Sequence, residues 1–101
     1  MADLEIAIQV ARKAVKLTPE DHFDLAGRLN NLGNSLGNQY EWTGDIADLE
    51  EAVQVARQVV KSIPENYSNL AGYLSNLSSS LGRQYERTGD MADLKEASQV
   101  A

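Results

Sequence analysis

His22 is the only histidine in the chain. Its counterpart one repeat later is Tyr67. A single imidazole near a helix start reads as a loop residue and not as a general acid or base. The chain has no cysteine, which removes thiol nucleophiles, disulfides and cysteine-bound zinc. Asp45, Asp48, Glu50 and Glu51 form an acidic neighbourhood, but their spacing does not match a calcium loop. Helix capping accounts for these aspartates better. The glycine-rich stretches Gly27 to Gly33 and Gly33 to Gly37 lack the Lys-Ser/Thr that follows a phosphate-binding loop. The residues therefore imply no enzyme, no cofactor and no metal site.

Bulk composition narrows the partners. Nine basic residues against fifteen acidic ones give a net charge of −6, which disfavours nucleic acid. No apolar run approaches the roughly 20 residues that span a bilayer, so a membrane partner is not expected. The acidic opening Asp3-Leu4-Glu5 does not look like a secretory signal. A cytoplasmic, soluble protein is the expectation. A hydrophobic share of 43% suffices for a packed core.

The elements that must position any site come in copies. The stretch from Asp3-Leu4-Glu5 to Gly44-Asp45 returns as Asp48-Leu49-Glu50 to Gly89-Asp90, and Asp93-Leu94 opens a third copy. The offset is about 45 residues, and about 28 of 45 aligned positions are identical, the mark of a repeat array. We divide the chain into 2–46, 47–91 and a partial third unit, 92–101, within one segment spanning 1–101.

Each unit holds two amphipathic helices. One, over Ile46 to Ile63, places Leu49, Ala52, Val53, Ala56, Val59, Val60 and Ile63 on one stripe; Leu4, Ala7, Ile8, Ala11, Ala14 and Val15 match it. Val10 and Val55 also read as packing residues. The other helix, from about Phe23 to Trp42, carries Leu25, Leu29, Leu32, Leu36 and Tyr40, repeated as Leu70, Leu74, Leu77, Leu81 and Tyr85. Gly37 and Gly82 lie inside it at a cost of about 1 kcal/mol against alanine, which implies close approach by a neighbouring helix. Thr43-Gly44-Asp45 and Thr88-Gly89-Asp90 predict a left-handed glycine that stops one helix and an aspartate that caps the next. Asp48 and Asp93 then fit a carboxylate capping box. Pro19 and Pro64 end the stripe helices, and Asp21 or Asn66 would cap the helix that follows. Short turns force antiparallel neighbours.

Asn31-Leu32-Gly33-Asn34-Ser35-Leu36, Gly44-Asp45, Ala52, Val59 and Pro64 together resemble a tetratricopeptide repeat. The period is about eleven residues longer than that family's usual 34. The long form is similar to arrays beside nucleotide-binding or CHAT (caspase-like) domains in fungal NLR-type signalling proteins. The resemblance implies an all-α fold of antiparallel helix hairpins stacked in a right-handed solenoid. It also implies a concave groove lined by the leucine-seam helices, with Gly27, Asn30, Asn34, Asn38, Gly72, Ser75, Ser79 and Arg83 facing it. Asn30 and Ser75 stand where a lysine clamp for a terminal carboxylate would be, so that ligand is not expected.

The function expected is a non-enzymatic scaffold that holds a peptide or protein partner in this groove. The alternative is a structural spacer or self-association arm, with a homo-oligomer formed through uncapped ends. Asn31 and Asn76 read as structural, each amide tying one repeat to its neighbour or satisfying a helix end, with Asn76→Ala costing more than about 1 kcal/mol. Trp42 reads as a lone exposed aromatic or a contact unique to its repeat. Specificity, where present, is expected where the copies differ: Arg28/Tyr73, Asn34/Ser79, Asn38/Arg83 and Trp42/Arg87.

Overall fold

The computed structural model describes residues 2–20, 22, 24–63 and 69–100, the side chains of Ala2 and Val100 excepted. Among these residues the chain is all-helical: α1 (Ala2–Lys16), α2 (Leu25–Thr43), α3 (Ile46–Ser62), α4 (Leu70–Thr88) and α5 (Met91–Val100). Consecutive helices pack against one another, as expected for a tetratricopeptide-like repeat. The molecule measures 38 × 36 × 16 Å. Its thinnest dimension fits two helix layers about 8–10 Å apart.

Side-chain ties assign the layers. Asn76 Nδ2 donates to Asn30 Oδ1 at 3.1 Å, and Arg83 pairs with Glu41 at 3.0 Å, so α4 lies beside α2. On the other layer Arg12 of α1 grips Glu51 of α3, with its Nη2 2.7 Å from Oε1. Arg57 of α3 grips Glu96 of α5 through Nε at 2.8 Å and Nη2 at 2.5 Å. Arg12 and Arg57 are repeat equivalents, as are Glu51 and Glu96. One ion pair thus recurs at each step of the array.

The core sits between the layers. Leu25, Ala26, Leu29, Leu32 and Leu36 of α2 are buried at steps of three and four, against Ala52, Val55 and Val59 of α3 and Ile8 of α1. Each such leucine contributes about 1.5–3 kcal/mol relative to exposure. A second cluster joins Val53 of α3 to Leu77 and Leu81 of α4, with Ala56, Val60 and Ala97 packed against it. Tyr40 and Tyr85 are half-buried at the ends of the seams.

The helix joints follow the Gly-Asp motif. Gly44 and Gly89 adopt φ of 68° and 70°, and their N–H groups donate to Tyr40 and Tyr85 carbonyls at 2.7 Å. Asp45 Oδ1 accepts from Ala47 N at 3.0 Å, and Asp90 Oδ1 from Ala92 N at 2.9 Å. The capping box needs correction. Asp45 N donates to Thr43 Oγ1 at 3.1 Å, not to Asp48. Asp48 instead accepts from Gln39 Nε2 and Thr43 Oγ1, each at 3.2 Å. The second joint repeats this arrangement with Gln84, Thr88, Asp90 and Asp93. Threonine, one residue before the glycine, is already within reach of the capping N–H, which frees the carboxylate to clasp the preceding helix.

Other expectations divide. Asp21, Phe23, Pro64, Asn66 and Tyr67 lie outside the described residues. Asp24 and Asn69 occupy the N-cap positions of α2 and α4, and neither makes a side-chain cap bond. The close approach expected at Gly37 and Gly82 is found instead at Gly33, where an added Cβ would stand 3.4 Å from Val55 Cγ1. Gly37 meets only Arg83 Nη1, at 3.9 Å, and Gly82 has nothing within 4 Å. Val55 is buried, whereas Val10 is 63% exposed and does not act as a packing residue. The reason is positional: α3 is covered from both α2 and α4, while α1 is covered by α2 alone.

Candidate functional site

Two neighbouring seam helices leave a channel between them on the face away from α3. Its lining is Gly33, Asn34, Gly37 and Asn38 of α2, with Asn76, Ser79, Ser80 and Arg83 of α4. The volume is about 460 Å³, within the usual range for ligand clefts of about 300–1,000 Å³. A smaller recess of about 30 Å³ lies deeper, against Leu29, Ala52 and Val55, and Asn30 and Asn76 line it.

Local sequence explains this shape. The residues one step around from the leucine seam are small or amide-bearing, so α2 and α4 present a channel there instead of a filled ridge. Gly33 lets Val55 press against α2, and a Cβ added at Gly37 would stand 3.9 Å from Arg83 Nη1. The Asn76–Asn30 bond sets the separation of the two walls. Farther along, Arg83 crosses from α4 to Glu41 on α2, both largely exposed. Its charge is thereby matched before any ligand arrives. A screened pair of this kind contributes little to stability.

Of the residues expected at the groove, Asn34, Asn38, Ser79 and Arg83 line the channel together. Asn30 is engaged with Asn76 and borders the deeper recess. Ser75, Gly27 and Gly72 are exposed and line neither space. Gly33, Gly37, Asn76 and Ser80 complete the lining and were not expected there. Their signal was available, since Asn76 lies four residues before Ser80 and three before Ser79 on one helical face. Asn76 also makes the inter-repeat tie expected of it. Asn31 instead borders an open apolar cleft along α1.

The copy differences sort by role. Arg28 donates to Thr18 Oγ1 at 2.6 Å and pairs with Asp24 at 3.7 Å, whereas Tyr73 packs on the main core. Arg87 Nη2 donates to Gly44 O at 3.1 Å, bridging one joint to the next. Trp42 is 72% exposed. His22 has a structural part: its Nδ1 accepts from Asp24 N at 3.0 Å at the approach to α2. Asparagine amides and serine hydroxyls each both donate and accept. The channel therefore offers both donors and acceptors along its two walls. Among the described residues there is no cluster of three metal-ligating side chains. Nor is any helix there long and apolar enough to cross a membrane.

A stacked helix-hairpin array with a polar inner channel is the class this geometry defines. Residues 25–65, which cover α2, the Gly-Asp joint and α3, match the tetratricopeptide repeat family. This match supports a tetratricopeptide-like repeat in the chain. Repeats of that family generally mediate protein–protein interaction and are generally non-catalytic. No curated protein and no solved structure matches the chain.

Proposed function

We propose that this chain is a protein-interaction module that holds an extended peptide in the α2/α4 channel. The observation that carries the reading is the channel's lining: amides and hydroxyls from both walls, with Gly33 and Gly37 among them. An extended peptide offers alternating N–H and C=O groups, which Asn34, Asn38, Asn76, Ser79 and Ser80 can satisfy from either side. Arg83, balanced by Glu41, orders one end of the channel and does not act as a carboxylate clamp. Specificity then resides in Asn34/Ser79 and Asn38/Arg83, the paired positions where the two walls differ.

Two further elements belong to this reading. The units 2–46, 47–91 and 92–101 set the register of one continuous segment, with Asn34/Ser79 and Asn38/Arg83 at equivalent places in the first two. On this reading the long period supports a likeness to the arrays of fungal NLR-type and CHAT-domain signalling proteins, with a role in the cytoplasm. A spacer with no groove ligand is the competing role. Selection from a random-peptide display library, followed by calorimetry, separates the two. A binding module yields peptides whose affinity drops at least about tenfold, or about 1.4 kcal/mol, in Asn34→Ala or Ser79→Ala. A spacer yields none, or yields peptides indifferent to both changes.

A further inference from the structure

The recess below the α2/α4 channel differs from the channel in chemistry. Its volume is about 30 Å³, and α2, α3 and α4 all contribute to it. The side chains of Leu29, Ala52, Val55 and Ala56 line its depth, the first three of them buried. Gly33, Asn34, Asn76 and Ser80 line both spaces, so the recess opens from the channel. Polar groups at the mouth with apolar side chains behind them suit an apolar group carried on a hydrogen-bonding chain.

Sequence explains why the space exists at this point. Gly33 has no side chain, and a Cβ added to it would stand 3.4 Å from Val55 Cγ1 and 3.9 Å from the Ala52 carbonyl oxygen. Val55 and Ala52 both line the recess, so that Cβ position lies at its edge. One repeat later Ser78 stands in the place of Gly33, and Ala97 in the place of Ala52. Ser78 Oγ donates to the Ala97 carbonyl at 3.2 Å, occupying with its own side chain the space that Gly33 leaves open. The two copies therefore differ at this point by one side chain, present at Ser78 and missing at Gly33.

We infer that the recess is a subsite for an alanine side chain of a peptide held in the channel, so that the module selects a small apolar residue at one fixed position of its ligand. Size sets the class. A cavity of about 10–15 Å³ admits one water-sized group, so the recess takes a methyl and little more, and excludes leucine. Water is the poorer occupant, because a buried water needs about two to four polar partners. The depth of the recess offers apolar side chains instead. An extended peptide turns alternate side chains to opposite sides. Where Asn34, Asn76 and Ser80 hold its backbone, one side chain points toward α3 and enters the recess. Alanine does so with no side-chain rotamer to freeze. The subsite rests on the peptide-holding role proposed above and adds register to it: backbone bonds are available from any sequence, whereas one small residue fixes the peptide along the channel.

The test uses peptides selected on the full chain from a random library and kept only where Asn34→Ala weakens them. Each is resynthesised with glycine, alanine or leucine at every position in turn and titrated calorimetrically into the parent and Gly33→Ser. One position should favour alanine over glycine about fourfold, the worth of one buried methyl at about 0.8 kcal/mol. Leucine there should bind at least about fivefold more weakly than alanine, because it overfills the recess. Gly33→Ser, which installs the residue of the second copy, should erase the alanine preference while the glycine peptide keeps its affinity within about twofold. Val55→Ala, which enlarges the recess, should move the preference toward leucine; both variants are first checked for an unchanged helical spectrum. If no selected peptide responds to Asn34→Ala, the channel role fails and the subsite fails with it. Peptides that depend on Asn34 but show no alanine-preferring position, or keep that preference in Gly33→Ser, overturn the subsite alone.

Discussion

Replacing Asp48 by alanine removes the clasp at the centre of the array. The carboxylate accepts from Gln39 Nε2 through both oxygens and from Thr43 Oγ1, each at 3.2 Å. Hydrogen bonds to a charged group contribute about 1.5–3 kcal/mol, and half-burial with this length places the set at the low end. Asp48 is also the third residue of α3, where a negative charge gains about 0.3–1 kcal/mol from the helix dipole. The two contributions together give about 2 kcal/mol. For a chain of this size that lowers Tm by roughly 8–16 °C. Thermal and urea melts of Asp48→Ala, Gln39→Ala and the double variant form the assay. The pair should couple by about 1 kcal/mol, since each single change leaves the other group unpartnered. A loss below about 0.5 kcal/mol, or additive effects of the two changes, would refute the clasp and return Asp48 to an ordinary first-turn aspartate.

Gly82 has open space around its missing Cβ and sits inside α4, so Gly82→Ala should raise stability by about 0.5–1 kcal/mol in a urea melt. Gly44→Ala has the same free space but a φ of 68°, and should lower stability by about 1–2 kcal/mol in the same measurement. Asn76→Ala removes an exposed inter-repeat bond and should cost about 0.5 kcal/mol by equilibrium melt, less than sequence reasoning assigned to it. Glu96 is held below the usual carboxylate value by its hydrogen bonds from Arg57, partly opposed by desolvation. Its contribution is present above the unfolded pKa and fades as pH falls through the lower folded one. Melts below about pH 5 should therefore destabilise the parent more steeply than Glu96→Gln.

The helices and joints were legible because each is specified by neighbours in sequence. Leu25, Leu29, Leu32 and Leu36 declare a face, and Gly44 followed by Asp45 declares a stop and a start. Leu29 and Leu36 are accordingly buried, and both glycines adopt the left-handed conformation. What failed depended on the third dimension. Val10 and Val55 are identical residues in closely similar local sequence, yet only Val55 has a second helix upon it. Nothing within a single repeat encodes that difference. The role of Asp48 was misread because spacing alone cannot choose between the capping N–H and the more distant Gln39. The channel was half legible: Asn34 and Ser79 came from the resemblance to tetratricopeptide repeats, but the part of Gly33 and Gly37 in its lining depends on how α2, α3 and α4 pack.

The most direct test of the central claim is calorimetric binding of library-selected peptides to the parent chain and to Asn34→Ala and Ser79→Ala. The channel account predicts saturable one-to-one binding that weakens at least about tenfold in both variants, while their melting curves stay within about 0.5 kcal/mol of the parent. Peptides that bind parent and variants alike would place recognition elsewhere and contradict it.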